Sequence, residues 1–439
     1  MENNTTKNIF KSFLSPVGLV LLLTLMTFIT GYILMDQTES DSSLSKVVRL
    51  LAYWQEGFFS LLGFTLQMIM ILVFGYALAV FAPINRVLKV IAGIPKNLTA
   101  ATLLTAVITS FAGILNWGFG LIVGAILARF VHESLISKGF KSNSALLAST
   151  GYLGMAVWHG GLSASAPLTV AGKGHFLVDT IGIIPVSETL FSSFNVWITS
   201  GLISVFLITT YVLSKTSLTT SDSVASNPLR PIESGKEGSL ARGVGLFMIL
   251  VMMVGLIFAE EASLGMITLN WVNFLLFSLV LIAYKSWERF SLAVGQGLKT
   301  SSDILIQFPF YAGILGLLSS SGALYELSQL IQSQTSKEFF PLITFFSTAF
   351  VNLLVPSGGG QWAIQGPVIM ETAANWGLNF AKLTMIFAYG DQISNLLQPF
   401  WALPLLSITG VPVRKLLPYC AMLFLSGFVF LTLAIWWMY

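Results

Sequence analysis

The sequence predicts an all-α polytopic membrane protein built from two inverted-topology repeats, each with a re-entrant hairpin and a broken transmembrane helix. Three observations carry that expectation. The 439 residues are 55% hydrophobic and only 9% charged, where a soluble domain has about 25% charged residues. Two long runs, 97–128 and 339–370, hold no Asp, Glu, Lys, Arg or His, yet each is interrupted by a break rich in Gly, Pro or Asn. Those breaks recur at a near-constant interval. Asn116-Trp117-Gly118-Phe119-Gly120 is followed 240 positions later by Pro356-Ser357-Gly358-Gly359-Gly360. Gly151 and Gly390, Pro167 and Pro404, and Gly172 and Gly410 fall within three positions of the same interval.

Apolar stretches long enough for the roughly 20 residues of a span place helices at 14–35 and 57–82. The run from 97 to 133, broken at Asn116, reads as the first hairpin. The stretch 142–171, broken at Trp158-His159-Gly160-Gly161, reads as a broken helix, and a span at 190–213 closes the first repeat, 1–213. Residues 214–241, with Pro228 and Pro231, read as a polar linker on the cytoplasmic side. An extra connecting helix lies within 242–266. The second repeat, 267–439, has spans at 267–284 and 300–322, a hairpin at 339–375, a broken helix at 383–412 interrupted near Gln398-Pro399, and a last span at 416–437.

If each hairpin enters and leaves by one face, the extra helix makes the second repeat start on the opposite side, which inverts it. Charge supports this crossing parity. With the N-terminus cytoplasmic and the C-terminus outside, only Lys46, Arg49, Lys173, Lys337 and Lys382 of the 22 basic residues face outward, as the positive-inside rule requires. Lys7 and Lys11 precede an apolar run too long for a signal-peptide core, so that run is a span.

Other classes are poorly served. There is no basic domain for nucleic acid. The single Cys420 excludes an internal disulfide and a Cys-cluster metal site. The Zn-protease and serine-hydrolase motifs are absent. The one enzyme reading that remains is a membrane-embedded hydrolase using Ser163 and His159.

The chemistry therefore falls on the breaks. After each break a half-helix begins, and helix N-termini offer free N–H groups and partial positive charge. Four such ends converging make an anion site without Lys or Arg, and none lies within the charge-free run 97–128 or within 142–171, 339–375 and 383–412. Gly358, Gly359 and Gly360 allow a ligand close to the backbone. Ser357, Gln361 and Gln365 supply polar side chains from one hairpin, and Asn116, Trp117, Gly118 and Gly120 form the other tip. Close helix packing alone accounts for Gly118 and Gly120 about as well. Gly160, Gly161, Ser163, Ser165, Asn395 and Gln398 complete the candidate substrate site; Ser163 and Ser165 can equally bond back to their own helix. Asp391 is the one acid inside a broken span, and His159 lies at the matching break. Intramembrane ionisable groups are functional candidates, so these two are the candidates for handling a coupling ion. Each also has a structural reading, as a hydrogen-bond partner of broken backbone. No metal site is firm; Na+ near Ser357 and Asp391 is one option.

Five segments resemble the bacterial short-chain fatty acid transporter family, within the ion transporter superfamily: I-L-N-W-G-F-G-L-I-V-G-A at 114–125, I-P-V-S-E-T-L-F at 184–191, Q-F-P-F-Y-A-G-I at 307–314, V-P-S-G-G-G-Q-W-A-I-Q-G-P at 355–367 and Q-P-F-W-A-L-P at 398–404. The resemblance covers nearly the whole chain. It implies an uptake carrier for short monocarboxylates of the acetoacetate or butyrate type, two hairpins, inverted repeats and a homodimer with elevator-type movement. Sodium-coupled dicarboxylate carriers of the superfamily place Ser-Asn-Thr at both tips. Here the tips read Asn116-Trp117-Gly118 and Ser357-Gly358-Gly359, which leaves the coupling ion open between H+ and Na+.

The expected function is thus secondary active transport of a small carboxylate across the inner membrane by alternating access. No cofactor is expected beyond a coupling ion, and the partners are the substrate, the bilayer and a second copy. The substrate's apolar tail is expected against Trp117, Trp362 and Phe400. The alternatives are a sodium-coupled dicarboxylate carrier and the hydrolase already named.

Overall fold

The computed structural model describes residues 16–35, 43–217, 231–234, 239–258, 269–299, 301–323, 325–326, 329–330 and 335–439. Helices dominate: α1 (Pro16–Leu34), α2 (Ser43–Gly57), α3 (Leu62–Val80), α4 (Ala82–Ala92), α5 (Leu98–Leu115), α6 (Trp117–Ser137), α7 (Ser144–Gly151), α8 (Ser165–Val170), α9 (Val178–Ile181) and α10 (Ser193–Thr216). There follow α11 (Ser239–Ile257), α12 (Leu269–Tyr284), α13 (Trp287–Leu298), α14 (Ser302–Ser320), α15 (Phe340–Leu354), α16 (Gly358–Trp376), α17 (Phe380–Ser394), α18 (Pro399–Thr409) and α19 (Val413–Met438). The 240-residue interval reappears in the elements: α3 and α14 are displaced by it at both ends.

The chain is an integral membrane protein. Among the described residues, five helices are long and apolar enough to cross a bilayer: α5, α6, α10, most of α11 and α19. Leu21, Leu25, Ile29 and Ile33 of α1, Leu246, Leu250 and Val254 of α11, and Leu425, Val429 and Leu433 of α19 are exposed. Apolar stripes of that extent are tolerable against lipid and not against water.

The centre is made by α5, α6 and α7 from the first half and α15, α16 and α17 from the second. Polar caps start these helices where the apolar runs begin. Asn97 accepts from the Ala100 amide, Asn143 from Leu146 and Asn379 from Lys382. Small residues then bring the backbones together. A Cβ on Gly124 would lie 1.9 Å from the Gly151 carbonyl oxygen, so α6 and α7 touch backbone to backbone. Gly124→Ala should therefore lower stability by about 1–3 kcal/mol, the usual cost of overpacking. A melting temperature in detergent reads this, with Gly172→Ala as control, where the added Cβ makes only ordinary contact. Equal melting temperatures would remove the packing argument.

Three helices lie where the hydropathy reading has only loop or the end of a span: α2, α4 and α13. They carry Lys46, Arg49 and Glu56, Arg86 and Lys89, and Glu288 and Arg289, and are too short to span, so a search for apolar runs passes over them. The polar linker at 214–241 and the connecting helix at 242–266 fall partly outside the described residues, as do Lys7 and Lys11. Where the linker is described, Ile232 forms a parallel bridge with Phe81: its amide donates to Val80 O at 2.8 Å and its carbonyl accepts from Ala82 N at 3.1 Å. The first hairpin's second arm continues past its charge-free run through Arg129 and His132 to Ser137, slightly beyond the expected limit at 133. Arg129 is buried there because its Nε donates to Glu133 at 2.9 Å and its Nη1 to the Ile408 carbonyl at 3.0 Å. That carbonyl is in the last turn of α18, where a cation is favoured.

Candidate functional site at the hairpin tips

The two tips are built alike and used differently. At the first, Asn116 caps α6 by accepting from the Phe119 amide at 3.1 Å. The Trp117 amide donates to Ser163 Oγ at 3.0 Å, and the Leu162 amide donates to the Ile114 carbonyl at 2.7 Å. The tip thus abuts the break in the middle of the element that contains α7 and α8. Asn116 is buried. Length alone does not define this hairpin, since α5 and α6 are each long enough to span; the placement of its tip does. Gly118 sits under Ile71, and Gly120 lies against Gly113 of the opposite arm. Gly161 lies against Ile114, and Gly160 against Thr199. These four glycines serve close packing.

At the second tip, Val355-Pro356-Ser357 leads into α16. Ser357 accepts from the Gly360 amide at 3.2 Å, and its carbonyl accepts from Gln361 at 2.7 Å. Among the described residues, the Gly358 and Gly359 amides have no acceptor. They are the orphan donors of a 19-residue helix. Nothing lies within 4 Å of where a Gly359 Cβ would be.

Below Gly358 lies a fully buried ionisable pair. His159 Nε2 and Asp391 Oδ2 are 3.1 Å apart, both residues buried. The Ser165 amide reaches His159 Nδ1 at 3.3 Å, so Nδ1 is the acceptor and Nε2 carries the proton donated to Asp391. One ring nitrogen accepting and the other donating is the hydrogen-bond pattern of a neutral imidazole. The His159 amide donates to Gln392 Oε1 at 2.9 Å, and the Trp158 ring lies 3.6 Å from the His159 ring. A Cβ on Gly358 would come within 2.6 Å of Asp391 Oδ2 and 2.8 Å of His159 Nε2. Tip, acid and imidazole therefore meet at one point, drawn from α16, α17 and the 158–160 turn.

The remaining candidates are structural by position. Gln361 Nε2 donates to Thr348 O and Gln365 Oε1, and Gln365 Nε2 to Ser347 Oγ, so both glutamines tie the hairpin's arms together. Asn395 Nδ2 donates to Met155 O at 3.2 Å, tying the two breaks together, and Gln398 Nε2 donates to Asn352 O of the hairpin arm α15. Ser163 Oγ accepts from the first tip while both His159 nitrogens are engaged elsewhere, so the Ser163–His159 hydrolase pair is not formed. Trp362 is buried against Phe387, and Phe400 is buried between Phe308 and Tyr311. Neither has an open side for an apolar tail; the aromatic density at those positions is internal packing. Trp117 is likewise buried, its ring edge-on to Trp401 at 5.2 Å.

Two residues escaped the sequence reading. Asn352 Nδ2 lies 2.7 Å from Asp391 O, 2.9 Å from Ser394 Oγ and 3.0 Å from Asn395 Oδ1. Its signal is a lone Asn within an otherwise apolar half-turn, four residues before Pro356. Asn195 holds the first break: its Nδ2 donates to the Gly160 and Leu190 carbonyls, and its Oδ1 accepts from Tyr389 at 2.9 Å.

A helical membrane protein whose broken helices meet buried polar tips belongs to the class of transporters, and comparison names the group. The chain belongs to the short chain fatty acid transporter family, whose model matches residues 1–437. Two bacterial proteins named for short-chain fatty acid transport are each 36% identical to it. The Escherichia coli (strain K12) protein aligns over 94% of both chains; the Haemophilus influenzae protein covers 95% of this chain and 96% of its own. The chain is a transporter and not an enzyme. Among solved structures it is similar to the YdaH transporter of Alcanivorax borkumensis, with a TM-score of 0.47 and 14% identity over 95% of this chain and 98% of that one. MtrF of Neisseria gonorrhoeae, from a class of antimetabolite efflux pumps, gives 0.43 and 13% over 95% and 94%. The family assignment rests on the sequence matches.

Proposed function

We propose that the protein carries short monocarboxylates together with a proton across the cytoplasmic membrane. It does so as a homodimer of inverted repeats working by alternating access, with its N-terminus inside and its C-terminus outside. One observation supports this reading above the rest: Gly358, whose amide like that of Gly359 has no acceptor among the described residues, packs against the Asp391–His159 pair. A carboxylate accepting from those amides lies beside Asp391. Two like charges that close, in a medium poorer than water, repel strongly, and a proton carried with the cargo removes that repulsion. Cargo and proton then travel together. His159 Nε2–H keeps a hydrogen bond to the acid in either state.

The test is counterflow in proteoliposomes with labelled acids of two to six carbons under imposed pH or sodium gradients. Gly359→Val should leave folding intact, because a Cβ at this position meets no atom within 4 Å, and should abolish uptake by filling the space beside the amides. Normal uptake by that variant would sink the anion-site assignment.

A second reading, sodium as the coupled ion, is favoured by the surroundings of Asn352. Its amide nitrogen has two protons for three acceptors, while its Oδ1 and Gln398 Oε1 are buried without partners. Turning that amide over offers Asn352 Oδ1, Asn395 Oδ1, Ser394 Oγ and the Asp391 carbonyl to a hard cation. Uptake that follows a sodium gradient and ignores pH would select this reading.

A further inference from the structure

Asn195 ties the 158–160 turn to α17 and belongs to neither. It lies in the first turn of α10, where its own amide donates to the Ser192 cap at 3.2 Å. Its side chain is buried. Nδ2 donates to the Gly160 carbonyl at 2.9 Å and to the Leu190 carbonyl at 2.7 Å. Oδ1 accepts from the Thr199 and Tyr389 hydroxyls, each at 2.9 Å. Carbonyls face one end of the amide and hydroxyls the other, so a single orientation satisfies it and no bonding capacity is left over. Gly160 follows His159 in the chain, and Tyr389 stands two residues before Asp391. The contact is also one of packing. The Phe194 ring lies 6.2 Å from the Tyr389 ring, and a Cβ on Gly160 would fall 2.3 Å from Thr199 Oγ1.

We infer that Asn195 is a positioning residue for the proton step: through Gly160 and Tyr389 it holds His159 at hydrogen-bond distance from Asp391. The inference rests on the proton-coupled reading above. Irregular backbone at membrane depth needs a donor for each buried carbonyl, and Asn195 supplies one to the turn that carries His159. Without it the His159 amide still donates to Gln392, but the Gly160 carbonyl and the Tyr389 hydroxyl lose the amide that joins them. A buried polar group stripped of its partner favours any shift that finds it another. The turn can then move against α17, and the pair with it. The segment 184–191 gains a role by the same bonds, since its Leu190 carbonyl shares Nδ2 with Gly160. The charges around α17 are few. α15, α8 and the turns at 153–160 and 395–397 pack on it and carry no Asp, Glu, Lys, Arg or His besides His159. α16 adds Glu371, thirteen residues beyond Gly358; α10 adds Lys215, twenty beyond Asn195; α19 adds Arg414 and Lys415 in its first turn.

The experiment takes the purified full chain in liposomes and measures the ratio of butyrate uptake driven by a pH gradient to butyrate exchange at equal pH. A role confined to folding lowers both rates in proportion and leaves the ratio at the parent's value. Asn195→Ala should lower the ratio about ten-fold, the equivalent of one buried hydrogen bond lost. Tyr389→Phe, a milder change that cuts only the bond to α17, should lower it in the same direction. Thr199→Val removes a bond internal to α10 and should leave it unchanged. His159→Gln should lower the ratio by itself, and adding Asn195→Ala to it should cost nothing more, because both act at one place. An unchanged ratio in Asn195→Ala or in Tyr389→Phe overturns the inference and leaves the proton-coupled reading intact. So does an equal loss in Thr199→Val, and so do losses that multiply in the double variant. A parent whose uptake ignores the pH gradient overturns the proton-coupled reading, and the inference with it.

Discussion

Asp391→Asn should abolish uptake driven by a pH gradient, with an initial rate lowered on the order of a hundred-fold, in a protein that still folds. Folding is preserved because the substitution is nearly isosteric. The new amide oxygen can accept from His159 Nε2 as the carboxylate does, and the contact of Asn352 with residue 391 is to its backbone carbonyl. What disappears is the group that takes up a proton beside the cargo. Among the described residues, no Lys or Arg pairs with Asp391; its one ion-pair partner is His159. Exchange of labelled for unlabelled butyrate at equal pH measures binding without net proton movement, and should be retained better than gradient-driven uptake. Gradient-driven uptake that keeps the parent's pH profile would move proton handling away from this residue.

Gly358→Val should be as damaging, by a different route, and should differ sharply from its neighbour. The added Cβ falls against both atoms of the His159–Asp391 hydrogen bond. The tip must lift or the pair must separate, and overpacking of this kind costs about 1–3 kcal/mol. Uptake should fall on the order of a hundred-fold and the melting temperature should drop, whereas Gly359→Val loses uptake alone. Gly358→Ala is the milder form and already carries the offending atom. Parent-like uptake by Gly358→Ala would show that the tip does not need its present contact with the pair.

Much of this architecture could be read from the chain, because a bilayer demands long apolar runs and tolerates irregular backbone only where protein or water covers it. The breaks at Asn116, Trp158, Pro356 and Gln398 lie where the sequence puts them. The amphipathic helices α2, α4 and α13 were hidden, since their charges resemble those of loops. At the site, Asp391, His159 and Gly358 stand out as oddities in greasy surroundings, but their meeting is a tertiary fact that joins His159 to positions more than 190 residues further along the chain. The roles of the glutamines were beyond sequence as well. Gln361 and Gln365 look like ligand contacts until Ser347 and Thr348 are seen opposite them. The inequality of the tips had the same origin: Ser163 accepts from the Trp117 amide, while the Gly359 amide has no acceptor among the described residues.

The isolation of Asp391 from basic residues has an electrical meaning. Under proton coupling, the empty centre holds the one negative charge of that acid. The loaded centre holds the cargo carboxylate next to the protonated acid, again one negative charge. The same charge crosses in each direction, so a membrane voltage, worth about 2.3 kcal/mol per unit charge at 100 mV, does no net work over the cycle. The concentration ratio such a carrier can build is then capped by the difference in acidity across the membrane.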